Sequence, residues 1–114
     1  MIEITVRSYL KDKLEVPVYM GEEPKTKSSE YVVLQIIDGG RINHIDAVTF
    51  NITSYSTSLQ KAAELNKAVK DAMYDIITIS NISSSKCGGG GQDINTTTKQ
   101  YAYYCIFNLY YTED

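Results

Sequence analysis

The chain has 114 residues, a formal net charge of −3, and 14 acidic against 11 basic side chains. This length suits one domain with one hydrophobic core, and the charge lacks the basic surplus of proteins that hold a nucleic-acid backbone tightly. No apolar run in the sequence approaches the roughly 20 residues of a membrane-spanning helix. We therefore expect a single domain, residues 1–114, that neither crosses a membrane nor binds DNA specifically.

The N-terminus and the cysteines indicate a cytoplasmic protein. The first residues lack the basic start and the apolar run of a signal peptide. Cys87 and Cys105 are expected to be free thiols, because cytosolic domains rarely carry disulfides. Together with the single histidine, His44, they cannot supply the four ligands of a structural zinc ion. We expect no metal and no cofactor.

The first predicted element is a helix over Ile2–Leu14. Its apolar residues fall on one helical face: Ile2, Val6, Tyr9, Leu10 and Leu14. Ile2, Ile4 and Val6 also recur at every second position, so a strand remains the alternative for this start.

Three strands and a loop are predicted next. Pro17–Met20 should be a short strand at a sheet edge, because proline cannot donate to a ladder. Gly21–Ser29 is polar and is expected to be a surface loop. The nearly continuous apolar run Glu30–Asp38 predicts a strand buried at the centre of the sheet. A turn is expected at Asp38-Gly39-Gly40, followed by a long connection to the antiparallel strand Ala47–Tyr55.

A long helix is predicted over Thr57–Ile77, because the apolar period changes from two to three or four residues after Tyr55. Thr57 and Gln60 fit a capping box, in which each side chain bonds to the backbone N–H of the other residue. The apolar stripe of this helix comprises Leu59, Ala62, Leu65, Val69, Ala72, Met73 and Ile76.

The last third of the chain predicts a short strand over Ser83–Cys87 and a final, longest strand over Lys99–Thr112. Four consecutive glycines, Gly88–Gly91, lie between them and are expected to form a mobile hairpin tip, since glycine costs entropy to order. The odd-numbered residues of the final strand are expected to face the long helix. Its tyrosines suit either packing across a sheet face or burial in an assembly, and both interpretations stay open.

These elements together predict an α+β fold. About four mainly antiparallel strands should be packed on one face by the long central helix and by the N-terminal helix. We expect no enzyme, because the sequence contains no nucleophile–base signature. A small ligand-binding or enzymatic domain with a cleft near Asp38–Asp46 is the less favoured alternative.

Six short motifs of ordinary residues stand out along the chain: Tyr9-Leu10-Lys11, Val16-Pro17-Val18-Tyr19, Tyr31-Val32-Val33, Asn43-His44-Ile45-Asp46, Phe50-x-Ile52-x-Ser54-Tyr55 and Ala62-Ala63-Glu64-Leu65-Asn66. With these motifs the chain resembles, over nearly its whole length, the small tail-completion proteins of long-tailed bacteriophages and prophages. This group includes tail terminators and head–tail joining proteins.

The resemblance implies a structural virion protein that forms a ring, commonly a hexamer, at the junction of tail and neck after assembly in the host cytoplasm. The ring would cap the tail tube, contact the major tail tube protein and a head-completion or stopper protein, and let DNA pass without specific binding. A head-side connector or head-completion adaptor is the alternative within this group. The candidate interface residues are Arg41, His44, Asp46, Tyr55, Tyr104 and Tyr110.

Overall fold

Two helices pack on one face of a five-stranded sheet in the computed structural model, which describes residues 2–21, 29–42, 45–93 and 101–112. In chain order the elements are α1 (Ile2–Leu14), β1 (Val18–Met20), β2 (Tyr31–Ile42), β3 (Ile45–Ser56), α2 (Leu59–Asp75), a 3₁₀ turn (Ile76–Thr78), β4 (Ile82–Asp93) and β5 (Tyr101–Tyr111). The strand order is β1-β2-β3-β5-β4. The predicted loop Gly21–Ser29 falls mostly outside the described residues. None of the described helices is long and apolar enough to cross a membrane.

The mixed α+β architecture and the N-terminal helix are as predicted, but the sheet has five strands instead of about four. The shortest ladder joins β1 to β2, which pair in parallel over three residues, while all other neighbouring strands are antiparallel. Backbone hydrogen bonds flank this pair, from Val32 N to the Pro17 carbonyl at 3.0 Å and from Gly21 N to the Leu34 carbonyl at 2.8 Å. As predicted, the strand that follows Pro17 lies at an edge.

Helix α1 covers the predicted range and buries Ile2, Val6 and Leu10. The alternative of an initial strand is wrong, because Ile4 is 52% exposed on the far side of the helix. The Tyr9 hydroxyl donates to the Ala72 carbonyl at 2.8 Å and so connects α1 to α2. Burial raises the pKa of this phenol above its ordinary value, and the negative charge of Asp75 raises it further.

The predicted turn at Asp38-Gly39-Gly40 is wrong. Strand β2 continues through these residues to Ile42, with a β-bulge between Ile36 and Asp38 that absorbs the irregularity. The predicted central position of this strand is also wrong, because β3 occupies the centre of the sheet. Only the first four residues of β2, Tyr31–Leu34, are buried; from Gln35 to Gly40 the strand is exposed.

The N-cap of α2 lies one residue later than the capping box predicted. Ser58, rather than Thr57, is the N-cap. The apolar stripe is buried as predicted, except that Leu59 is 39% exposed in the first turn. Ile76 is fully buried and continues the stripe into the 3₁₀ turn.

The predicted mobile tip at Gly88–Gly91 is wrong, because these glycines lie inside β4 and pair with β5. A β-bulge separates Cys87 from Gly89. Gly89 and Gly90 have φ values of +143° and +159°, a conformation that side-chain-bearing residues rarely adopt. A Cβ at Gly90 would also lie 2.5 Å from the Tyr104 carbonyl oxygen. The glycines therefore permit a tight, bent ladder instead of breaking it.

The odd-numbered residues of β5 face the long helix, as predicted. Cys105, Phe107 and Leu109 are fully buried against the helices. The ring centroids of Phe107 and Tyr74 lie 5.2 Å apart in an edge-to-face arrangement. The strand has 11 residues and is not the longest, since β2, β3 and β4 have 12 each.

The sheet thus has two unlike faces. We call the face against α1 and α2 the core face; Val48, Phe50 and Ile52 of β3 lie on it. We call the opposite side the open face. Because side chains alternate along a strand, the open face carries Ala47, Thr49, Asn51, Thr53 and Tyr55 of β3 and Ala102, Tyr104, Ile106, Asn108 and Tyr110 of β5.

Candidate assembly surface

The candidate interface residues fall into two groups, one on the open face and one at a hairpin end. Tyr55, Tyr104 and Tyr110 all lie on the open face of the two central strands, where their ladder partners are Ala102, Thr53 and Ala47. Arg41 and Asp46 lie opposite one another near the end of the β2–β3 hairpin. His44 is at the turn of this hairpin in the sequence and lies outside the described residues.

The Arg41–Asp46 pair forms an ion pair with an Nε–Oδ1 distance of 3.6 Å. The side chains are 64% and 20% exposed, so the pair is largely solvated and contributes little to stability. Near the end of the hairpin, Arg41 is thus accessible to a docking partner, whereas Asp46 is mostly covered. Of the segment Asp38–Asp46, the described part therefore forms a largely exposed hairpin end.

The tyrosines differ in how far they are buried within the subunit. Tyr31 is fully buried, and its ring stacks on Tyr55 with centroids 4.7 Å apart and an interplanar angle of 14°. Tyr110 by contrast is 43% exposed, and Tyr104 is half-buried. Tyrosines at one end of the sheet thus complete a packed layer, whereas others present a ring to solvent, as interface residues commonly do.

The open face is rich in hydroxyl and amide groups. At its centre the Thr49 hydroxyl donates to the Asn108 Oδ1 at 2.7 Å. Among the side chains described on the strands of this face, the charged ones are Asp38 on β2 and Lys86 on β4, and both are exposed. The face therefore presents an almost uncharged polar surface with an acidic residue near one side and a basic residue near the other.

Two strand edges lack a complete outer partner among the described residues. Strand β4 is the last strand of the sheet, and no described strand pairs with its outer side. Among the described strands, only β1 pairs with the outer side of β2, and it does so only at Val32–Leu34. Both edge segments are rich in small residues, a composition that predicted a turn at Asp38-Gly39-Gly40 and a mobile tip at Gly88–Gly91 instead of strands.

An apolar groove of about 510 Å³ adjoins the free part of β2. It lies where β1 ends, and Met20 and Ile36, exposed by 45% and 47%, line it. Its remaining lining residues are Glu3, Gly21, Leu34, Gln35, Ile37 and Phe50. An exposed strand edge beside an apolar groove is the arrangement that accepts an added strand from a partner.

The buried thiol of Cys105 is not activated for chemistry. Cys87 and Cys105 are both free, as predicted. The pKa of Cys105 is raised to about 12, chiefly by burial. The neighbouring Cys87 also raises this pKa, and the positive charge of Lys70 lowers it by a smaller amount. A thiol with so high a pKa is protonated at neutral pH and is a poor nucleophile. Within the described residues, no group of three or more His, Cys, Asp or Glu side chains is placed to hold a metal ion.

Comparison with solved structures identifies a protein with the same fold. A chain described as "Virion of native gene transfer agent (GTA) particle" superposes with a TM-score of 0.69, and the match covers 95% of this chain and 92% of that one. The two sequences are 14% identical, so the likeness defines a shared fold. No protein-family profile matches the chain, and no curated protein matches it.

Proposed function

We propose that this protein is a structural virion protein of a tailed phage or prophage, and that it forms a ring that terminates the tail tube. The observation that carries the proposal is the fold shared with a gene transfer agent virion chain over nearly the full length of both proteins. The tail-completion motifs in the sequence support the same class of protein independently of this comparison.

Termination in this proposal is occlusion and involves no chemistry. A ring subunit binds the last layer of the tail tube and covers the surface on which the next layer would add. Its opposite side then receives the head-completion or stopper protein. Two candidate surfaces suit such a role: the hairpin end with Arg41 and Asp46, and the open face with Tyr104 and, beside the hairpin end, Tyr110. Arginine and tyrosine are common anchors of protein interfaces.

The near absence of charge on the described open face supports passage of DNA without specific binding. A basic lining would hold the phosphate backbone, because each neutralised phosphate adds to affinity. Thr49, Asn51 and Asn108 instead offer neutral polar groups. If the open face lines the channel of the ring, DNA meets a surface that hydrates well but attracts it weakly.

The test is deletion of the gene from its phage or prophage, followed by electron microscopy of induced lysates. Overlong tails without heads are the expected result, and plasmid-borne wild-type protein should restore tails of normal length. Tails of normal length beside unjoined heads would instead assign the protein to the head side as a connector or adaptor. Normal virions would overturn the structural role.

A further inference from the structure

The two open edges of the sheet are linked by a single row of residues on the open face. The row crosses four successive strands through directly paired positions: Asp38, Thr49, Asn108 and Lys86. Asp38 and Lys86 therefore lie at the same height along the strands, at opposite edges and on the same face. One edge carries a negative charge at the height where the other carries a positive charge.

The direction of the strands at these edges is also fixed. Three antiparallel pairings separate β2 from β4, so the two edge strands run in opposite directions. When two copies of the chain are related by a rotation about an axis parallel to the strands, their equivalent strands run in the same direction. Equivalent residues of the two copies then lie at the same height along that axis. Such a rotation would place β4 of one copy antiparallel to the free part of β2 of the next copy, with Lys86 opposite Asp38.

From these relationships we infer that copies of this chain join edge to edge, so that the β4 segment Ile82–Cys87 of one copy adds to the free β2 segment Ile36–Arg41 of the next. The inference rests on the proposed ring and specifies its subunit contact. A contact between two different edges is head-to-tail, and it closes into a ring when the rotation divides a full turn.

The shapes of the two edges fit this pairing. Ser84 and Ser85 lie level with Gly40 and Gly39, so small residues would meet where the backbones approach. Ile36 and Ile37 are 47% and 54% exposed on the receiving edge, which is an unusual number of apolar side chains for an edge that stays in water. An added strand would cover them and part of the groove beside β1.

Strand β1 leaves room for the contact because it is short. It occupies the outer side of β2 only at the heights of Val32–Leu34. The same heights on β4 correspond to Gln92, Gly91 and Gly90, just beyond the bulge at Cys87/Gly89. A bulged strand bends, so β4 can turn away from the next copy where β1 begins. Gly90 and Gly91 present no side chain that would collide with β1.

The first experiment joins the two edges covalently in the full-length protein. Asp38→Cys and Lys86→Cys are combined in one chain that also carries Cys87→Ser. Three strand spacings of about 4.8 Å separate the two positions within a chain, which is too far for an internal disulfide. Mild oxidation should therefore give a ladder of linked multimers on a non-reducing gel, ending at the size of the closed ring.

The control chain carries its two cysteines at other positions. Asp12 and Lys61 are exposed residues of α1 and α2, away from both edges. A chain with Asp12→Cys and Lys61→Cys should therefore give no ladder. An assembled protein without a ladder from the edge pair would overturn the edge contact while leaving a ring possible. If the protein stays monomeric and unlinked even in the presence of its tail tube protein, the proposed ring is overturned as well.

The second experiment exchanges the charges. Asp38→Lys or Lys86→Asp alone would set like charges across the contact and should raise the concentration needed for assembly by about tenfold. The double exchange restores an opposite pair and should return assembly to within about threefold of the wild type. The exchange Asp12→Lys with Lys61→Asp has the same net charge and should have no effect. Single reversals that assemble like the wild type would contradict the Asp38–Lys86 pairing.

Discussion

The hydroxyl oxygen of Ser58 accepts a hydrogen bond from the backbone N–H of Lys61 at 3.1 Å, which fixes the start of α2. Ser58 has extended backbone angles, φ −137° and ψ 155°, as an N-cap residue requires. Thr57 precedes the cap and, contrary to the predicted capping box, is not the N-cap of the helix. The first turn of a helix leaves backbone N–H groups without helical acceptors, so this one side chain satisfies a donor that would otherwise rely on water.

The cap can be tested with a pair of neighbouring alanine variants. Ser58→Ala should lower the free energy of unfolding by about 1 kcal/mol, because it removes the acceptor for the Lys61 N–H. Thr57→Ala is the matched control and should change stability by less than about 0.5 kcal/mol. Urea denaturation followed by circular dichroism measures both. Equal losses of unfolding free energy in the two variants would contradict the assignment of Ser58 as the N-cap.

The core between α2 and the sheet gives a second prediction. Val69 is fully buried on the side of α2 that faces the core. Val69→Asp places an unpaired carboxylate there and should cost several kcal/mol, enough to unfold much of the protein at 37 °C. Lys67→Asp, on the exposed side of the same helix, should melt within a few degrees of the wild type. A Val69→Asp protein with wild-type melting would mean that α2 does not pack through this face.

The sequence predicted the helices and the packing of the core well, because both depend on local periodicity. The stripe from Ala62 to Met73 and the odd-numbered face of β5 follow from spacing alone. Leu59 is an exception, since it lies in the first turn of α2, where the helix has just begun, and stays exposed.

The edges of the sheet could not be predicted in the same way, because pairing between strands is non-local. Gly39 and Gly40 have the composition of a turn, yet pairing with Val48 and Ala47 holds them in a strand. The run Gly88–Gly91 has the composition of a flexible loop, yet β5 supplies a ladder partner along it. Nor could the common face of Tyr55 and Tyr104 be derived from the sequence, since it depends on the register between β3 and β5.

The glycines of β4 give a third prediction. Gly90→Ala should lower stability by about 2 kcal/mol or more, because its φ of +159° disfavours a side chain and a Cβ would lie 2.5 Å from the Tyr104 carbonyl oxygen. Gly40→Ala is the control, since a Cβ there meets nothing within 4 Å. Chemical denaturation of both variants measures the difference. If Gly90→Ala is as stable as Gly40→Ala, the strand conformation of the glycine run is wrong.

The buried thiol of Cys105 predicts how stability depends on pH. Its pKa is raised from an ordinary value of 9.0 to about 12, chiefly by burial. A raised pKa means that the folded protein holds this proton more tightly than the unfolded chain. Its contribution to stability is therefore complete below pH 9 and is lost as the pH rises towards 12, by up to about 1.4 kcal/mol per pH unit.

Urea denaturation at pH 8 and at pH 10 measures this loss, and Cys105→Ala is the variant that isolates it. The variant should be less stable than the wild type at pH 8, because it leaves a cavity in the core. Between pH 8 and pH 10 it should nevertheless lose less stability, since the group that titrates is gone. Val69→Ala provides the control, because it also leaves a cavity in the core but removes no titratable group, so its pH dependence should stay close to that of the wild type. An unchanged slope in Cys105→Ala would show that other groups, such as Tyr9 with its raised pKa, account for the alkaline loss.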